Sequence, residues 1–295
     1  MVGIVNWLDR HLKWVFVTPA LLFIALMVAF PIFYTARLSL FEWSMSAVQP
    51  PKWVGLDNYA ALLASKAFWH ALWITFYHSS ISIVLETVLG VAIAVLFSKK
   101  MFAARAAKTM MMLPMVATPV SVGLVWLLIY EPSIGMANQV LKRLGFETQE
   151  WLGSVTQVMP SLIIVDVWQW TPMIALIAVA GLATIPSDPY ESASVDGANA
   201  WQKFTRITLP LLLPTLITAI TLRVIDLVKT FDTIYATTQG GPNFASQTLN
   251  LMIFDTAFSG FKFGYASALL IVFFLMLITL VLVLNGLRRK AGSLQ

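Results

Sequence analysis

The sequence predicts an all-α integral membrane protein with six transmembrane helices. Two observations carry this reading. Of 295 residues, 59% are apolar and only 11% are charged, whereas a soluble domain is about 45–50% apolar and about 25% charged. The apolar residues also fall into six long stretches, each of the roughly 20 residues that cross a hydrocarbon core about 30 Å thick. So little polar surface excludes an ordinary cytosolic enzyme, a disordered chain and a nucleic-acid binder. There is no cysteine, so no disulfide, thiolate nucleophile or cysteine-based metal site is available. His11, His70 and His78 are too few and too scattered for a metal site. No catalytic or metal-ligating residue is assigned.

The expected spans are 14–41, 70–97, 108–130, 158–183, 207–231 and 264–287. The first is too long for a signal peptide and lacks a small-x-small cleavage site, so it reads as a retained span. Lysine and arginine set the orientation. Eleven lie on one side: Arg10, Lys13, Lys99, Lys100, Arg105, Lys108, Lys203, Arg206, Arg288, Arg289 and Lys290. Six lie on the other: Arg37, Lys52, Lys66, Lys142, Arg143 and Lys262. The first side is therefore expected to be cytoplasmic, with both termini on it. The net charge of +5 then reflects this bias and no nucleic-acid patch.

Trp14, Trp43, Trp69, Trp73, Trp151 and Trp201 fall near span ends, as an aromatic belt would. Pro19, Pro31, Pro114, Pro119, Pro160, Pro172, Pro210 and Pro214 lie in or at the mouths of spans. Each frees a backbone carbonyl, which a membrane tolerates where neighbours or water re-satisfy it. That favours a bundle with an internal path over a simple anchor. Gly90 and Ala94 form a small-xxx-small pair for close helix packing. In the outer loop 41–69, Asn58 is expected to cap a short amphipathic helix through Leu62, Leu63 and Ala67 on the membrane surface. Loops 131–157 and 232–263 are no larger, so residues 1–295 read as one membrane domain.

The cytoplasmic segment 184–206 differs from a plain connector. Ser187 or Asp188 is expected to cap a helix with Pro189 in its first turn. Glu191 suits the helix dipole there. Asp196-Gly197 is a turn signal, and a second helix is expected from Ala198. Such a helix–turn–helix suits docking into a groove of another protein, with an ordinary connecting loop as the alternative.

This segment carries a family resemblance. Glu191-Ser192-Ala193, three residues, Gly197, nine residues and Ile207-x-Leu209-Pro210 resemble the EAA loop of ABC-importer permeases, with Ser192 in place of an alanine. Gly55-Leu56-Asp57-Asn58-Tyr59 and Gly240-Gly241-Pro242 with Ser246-Gln247-Thr248-Leu249 resemble the first and last outer loops of binding-protein-dependent sugar permeases. The whole chain is similar to the maltose-type carbohydrate-importer permease that occupies the first position of an unlike pair. The resemblance implies a type I ABC importer permease-like bundle in a bacterial inner membrane. It implies four partners besides the lipid bilayer: a second, unlike permease, a homodimer of a cytoplasmic ATPase, an extracytoplasmic solute-binding protein and a carbohydrate solute. It places ATP and Mg on the ATPase and no cofactor on this chain. Glu191, Ser192, Ala193, Asp196, Gly197, Ile207, Leu209 and Pro210 would then form the ATPase-coupling element. The chain has no Gly-x4-Gly-Lys-Ser/Thr loop of its own.

Ionisable residues within spans face the interior by default and mark function or pairing. Glu86, Asp166, Arg223, Asp226 and Lys229 are the candidates. Asp166 and Arg223 each lie eight residues from the outer end of their spans, about 12 Å deep at about 1.5 Å per residue. That matched depth allows an ion pair. Asp226 stands at i+3 from Arg223, and Lys229 at i+3 from Asp226. Trp168 and Trp170 lie too deep for an interface belt. Aromatic rings and charged hydrogen-bonding groups suit a polyhydroxylated solute, so these six residues from Asp166 to Lys229 form a possible substrate path. A purely structural ion-pair network tethering the fourth and fifth spans is the alternative. Glu86 has no evident partner. A gradient-driven carrier using Glu86 or Asp166 is the competing function, but no inverted repeat is visible. A membrane-embedded enzyme lacks any nucleophile–base signature.

Overall fold

The computed structural model describes residues 2–45, 50–98 and 104–292, and these are mostly helical. Lys99 and Lys100, counted above toward the cytoplasmic face, lie outside the described residues. The chain divides into two compact units, one of residues 1–65 and 253–274, the other of 66–252 and 275–295. Among the described residues, five helical stretches are long and apolar enough to cross a membrane. A bent helix pair makes a sixth if it counts as one span.

The first unit contains α1 (Val2–Leu38), the two-residue strands β1 (Phe41–Glu42) and β2 (Lys52–Trp53), and α2 (Asp57–Ala64). The strands pair antiparallel, Phe41 opposite Trp53. Asn58 does not cap α2, whose first turn carries no side-chain cap. Its amide instead donates to the carbonyls of Ser39 (2.8 Å) and Phe41 (3.0 Å), where α1 ends. Helix capping gives way here to two carbonyls of the turn that follows α1. Ala67 belongs to the next helix.

The second unit is built on α3 (Lys66–Ser98), α4 (Ala104–Val116), α5 (Pro119–Ile129), α6 (Met136–Arg143) and α7 (Val158–Leu182). It continues through α8 (Asp188–Val195), α9 (Ala200–Lys203), α10 (Leu209–Val228) and α11 (Asp232–Thr237). The helix α12 (Leu249–Phe254) and the last helix, α13 (Phe263–Gly292), have residues in both units.

The expected third span, 108–130, is not one straight helix. It is α4 and α5, bent by 97° at the break. Pro119 explains the break, because a residue before proline is driven out of the helical region. Thr118 accordingly has φ −66° and ψ 142°. The amide of Gln169 on α7 donates to the carbonyl of Ala117 at 3.2 Å. That bond re-satisfies a backbone group that the break leaves open. Met110 on α4 is largely exposed.

Helices α3, α7 and α10 form the core. Toward the start of α7, Ile74, Val158, Met159, Leu162, Ile234, Ala245 and Leu251 cluster. Toward its end, Val91, Ala94, Ala178, Leu212 and Leu216 form a second cluster. The expected Gly90–Ala94 contact face is present. A Cβ on Gly90 would lie 2.7 Å from Ile174 Cγ2 and 3.1 Å from the backbone nitrogen of Ala175. The α3 and α7 backbones therefore meet where only glycine fits. Gly90→Val should destabilise the chain by about 1–3 kcal/mol through overpacking. Adding Ile174→Ala should recover part of the loss, as read by thermal unfolding of the solubilised chain.

Candidate functional site

Between the two apolar clusters of the second unit sits a group of charges. Arg223 on α10 is 1% exposed, Glu86 on α3 0% and Asp166 on α7 7%. The guanidinium of Arg223 donates from Nε to Glu86 Oε2 and from Nη2 to Glu86 Oε1, both at 2.9 Å. The same Nη2 donates to Asp166 Oδ2 at 2.7 Å. One guanidinium thus holds three helices. The planar fork of arginine allows a bidentate bond on one side and a third bond beside it, which a lysine ammonium cannot reproduce. The guanidinium also lies over the ring of Trp170, 4.9 Å from its centroid, a cation–π contact strengthened by desolvation.

The Asp166–Arg223 pair expected from matched depth is present. Glu86 was the residue that sequence reasoning left without a partner, and it makes the bidentate half of the cluster. One signal in the sequence could have found it: a guanidinium has five N–H donors, and Asp166 alone leaves most of them without an acceptor. Depth counted along single spans does not show which faces of α3, α7 and α10 meet. Helix α3 starts at Lys66 and α10 ends at Val228, so residue counts from assumed ends do not compare.

A cavity of about 220 Å³ opens onto the cluster. Asp166, Trp170 and Arg223 line it together with Asp226, Lys229 and Pro119 at the α4–α5 break. Asp226 pairs with Lys229 at 3.2 Å, and both are about half exposed. The structure thus brings five of the six path candidates to one cavity. Trp168 is not among them. Two residues before Trp170, it points from the opposite side of α7, since i and i+2 do not share a helix face. Its ring packs edge-on against Trp126, centroids 5.6 Å apart. It lines a separate, mostly apolar cleft with Leu85, Met110 and Pro172. His78 is fully buried in the core, and its Nδ1 has no hydrogen-bond partner.

The second candidate element lies between α7 and α10. Ser187 precedes α8 but makes no side-chain cap; its carbonyl accepts from the N–H groups of Tyr190 and Glu191. Helix α8 ends in a Schellman motif. The N–H of Ala198 donates to the Ala193 carbonyl at 2.8 Å and that of Gly197 to the Ser194 carbonyl at 3.2 Å. Gly197 carries the left-handed turn at φ +74°, and a Cβ there would meet nothing within 4 Å. The second helix starts at Ala200, two residues later than expected, because Asn199 caps it in a full capping box with Gln202. Lys203 Nζ donates to Ser194 Oγ at 2.8 Å, tying the two arms.

Glu191, Ser192, Asp196 and Gly197 are exposed, and Ala193 is half-buried. Ile207 lines a small hollow inside the loop with Ala193, Asp196 and Lys203. Leu209 instead packs on the lower apolar cluster. Pro210 has no N–H to continue the α-helical ladder. Residues Phe204–Thr208 just before it form a π-helical turn, in which the Leu209 N–H reaches back to the Phe204 carbonyl.

Residues 86–290 match the family described as the binding-protein-dependent transport system inner membrane component. The chain belongs to that family. It is a multi-pass permease, a component of transport, and the match takes in both the ion cluster and the loop after α7. Family membership does not favour the gradient-driven carrier reading of Glu86 and Asp166.

The chain is 38% identical over 255 residues to a probable ABC transporter permease protein, y4oQ, of Sinorhizobium fredii, covering 86% of this chain and 82% of that one. It is 32% identical over 275 residues to the trehalose/maltose transport system permease protein MalF of Thermococcus litoralis, covering 93% and 92%. It shares its fold with a chain of a bacterial alginate ABC transporter solved in complex with an alginate pentasaccharide-bound periplasmic protein. That match has a TM-score of 0.83 at 22% identity, covering 97% of this chain and 96% of that one.

Removing one partner of a buried ion network leaves uncompensated charge. Arg223→Met should therefore cost about 3–5 kcal/mol, seen as a lowered unfolding temperature and a depleted membrane pool. Arg223→Lys should restore only part of the stability.

Proposed function

We propose that this chain is the transmembrane permease subunit of an ATP-driven ABC importer for a carbohydrate: a sugar, an oligosaccharide or a polyol. It works beside a second, unlike permease, above a homodimer of a cytoplasmic ATPase and beneath an extracytoplasmic solute-binding protein. ATP and Mg belong to the ATPase, and this chain binds no cofactor. The setting is a bacterial plasma (inner) membrane, with both termini cytoplasmic, as the excess of Lys and Arg on that face supports.

The observation that carries this reading is the segment 191–210. A family-type spacing there is folded as a capped, exposed helix–turn–helix with Gly197 at its tip. An exposed turn of this shape, with Val195 largely exposed beside its tip, suits a cleft on a second protein. The relative named for trehalose and maltose and the transporter solved with an alginate pentasaccharide support a carbohydrate as solute.

In this reading, ATP binding closes the ATPase pair and the loop follows that movement. Helices α7 and α10 carry it into the membrane, and the bundle opens outward beneath the loaded binding protein. Hydrolysis resets it. The cavity beside Arg223 supplies the indole of Trp170 for a sugar C–H face. Asp226, Lys229 and Asp166 supply hydrogen bonds for hydroxyls.

Two outcomes are expected. Native mass spectrometry of the tagged chain, gently extracted from its host, should show one unlike permease and two identical ATPases. A chain running alone or as a homodimer would overturn the importer reading. Gly197→Arg should leave the chain inserted, because the site is open within this chain and the added strain is about 1–2 kcal/mol. It should uncouple ATP hydrolysis from uptake, measured side by side in proteoliposomes. Normal uptake by that variant would remove the coupling role.

A further inference from the structure

The charges of the buried cluster do not balance. Arg223 brings one positive charge, and Glu86 and Asp166 each bring a carboxyl within 3 Å of it. Were both carboxyls ionised, a net negative charge would stand among three helices in the apolar middle of the second unit. Buried charge without a counter-ion is costly, the more so within a membrane.

The surrounding groups do not supply the missing positive charge. On α10, Lys229 is already paired with Asp226 and half exposed. Asp232 of α11, which lines the same cavity, adds negative charge. Helix α5 carries no ionisable residue at all. On α3, His78 is fully buried with Nδ1 unpartnered. An imidazolium there would bury a donor with no acceptor, so the neutral ring fits better.

A metal cation does not fit either. Both oxygens of Glu86 and one of Asp166 already accept from Arg223, leaving too few free oxygen ligands for a hard cation. No group of three or more metal-ligating side chains occurs among the described residues. The smallest cation that fits is a proton, and two carboxyls sharing one guanidinium can share it.

We propose that the Glu86–Arg223–Asp166 cluster is a proton-binding site, in which the two carboxyls together hold one exchangeable proton at neutral pH and the network is electrically neutral. The proton comes from water by simple acid–base transfer. Asp166, which lines the cavity while Glu86 does not, is the point of exchange. This site is independent of the importer reading, because it needs only the folded chain.

The test is infrared difference spectroscopy of the full chain in lipid nanodiscs, with whatever subunits co-purify, at pH 7. The wild type should show the carbonyl band of a protonated carboxylic acid, shifting in D₂O. Glu86→Gln and Asp166→Asn should each abolish that one band, because either change leaves one carboxylate to one guanidinium. The double variant should lose nothing more. If one single variant fails to assemble, the other suffices, since both remove the excess carboxylate. Absence of the band in the wild type overturns the proposal. So does its persistence in either variant, which would place the proton on a single residue whatever its neighbour.

Discussion

Arg223 is the constraint on which the core of this permease depends. Most of the other buried side chains of helices α3, α7 and α10 are apolar or small and neutral. Dispersion and small-residue contacts hold such helices together but specify rotation and register weakly. A guanidinium fixed at 2.7–2.9 Å to carboxylates on two other helices specifies both. A slip of one residue along any of the three would rotate its charge out of reach. The bidentate geometry favours arginine over lysine, and the Trp170 ring beneath it fixes the plane of the fork.

The apolar packing is arranged around that point. One hydrophobic cluster lies on each side of the charges, and both draw on α3, α7 and the chain around α10. Gly90 sets the closest approach of α3 to α7 four residues beyond Glu86. The backbones come near enough there for a glutamate to reach an arginine on a third helix. The break before Pro119 works in the opposite sense. It turns α5 away from the line of α4 and places Pro119 in the wall of the polar cavity beside Asp166. Irregular backbone at membrane depth is tolerated where its freed groups are re-satisfied, here by Gln169.

How much of this was legible in the sequence follows from the physics of each element. Long apolar runs report helices in a membrane almost directly, so α1, α3, α7, α10 and α13 lie where hydropathy put them. The 97° bend in the third span was not legible from apolar length. The Thr118-Pro119 pair carried the signal, but a proline bends some helices and breaks others according to what donates to the freed carbonyl. The Asp166–Arg223 pair could be reached by counting residues, whereas Glu86 could not. Helix tilt and unequal overhang separate residue count from depth. The two tryptophans were indistinguishable by depth, and only the 3.6-residue period separates Trp170, beside the charges, from Trp168, on the other face. In the loop, Asp196-Gly197 announced its turn, since a left-handed residue at a helix end demands glycine. The Asn199–Gln202 capping box was present in the sequence and moved the second helix start by two residues.

The loop and the ion cluster are joined by the same two helices. The segment that carries Gly197 is the connection between α7 and α10, and each of those helices holds one end of the buried network, Asp166 and Arg223. About 15 residues of helix, some 22 Å at 1.5 Å per residue, separate the π-turn at Thr208 from Arg223. A π-turn is a local wide turn in the α-helical ladder, and Pro210 has no N–H to continue that ladder. The irregular backbone is thus next to the loop, and the part of α10 held by charges is at Arg223. Taking any one of the three partners away would leave an uncompensated buried charge, so the network holds α3, α7 and α10 to one register.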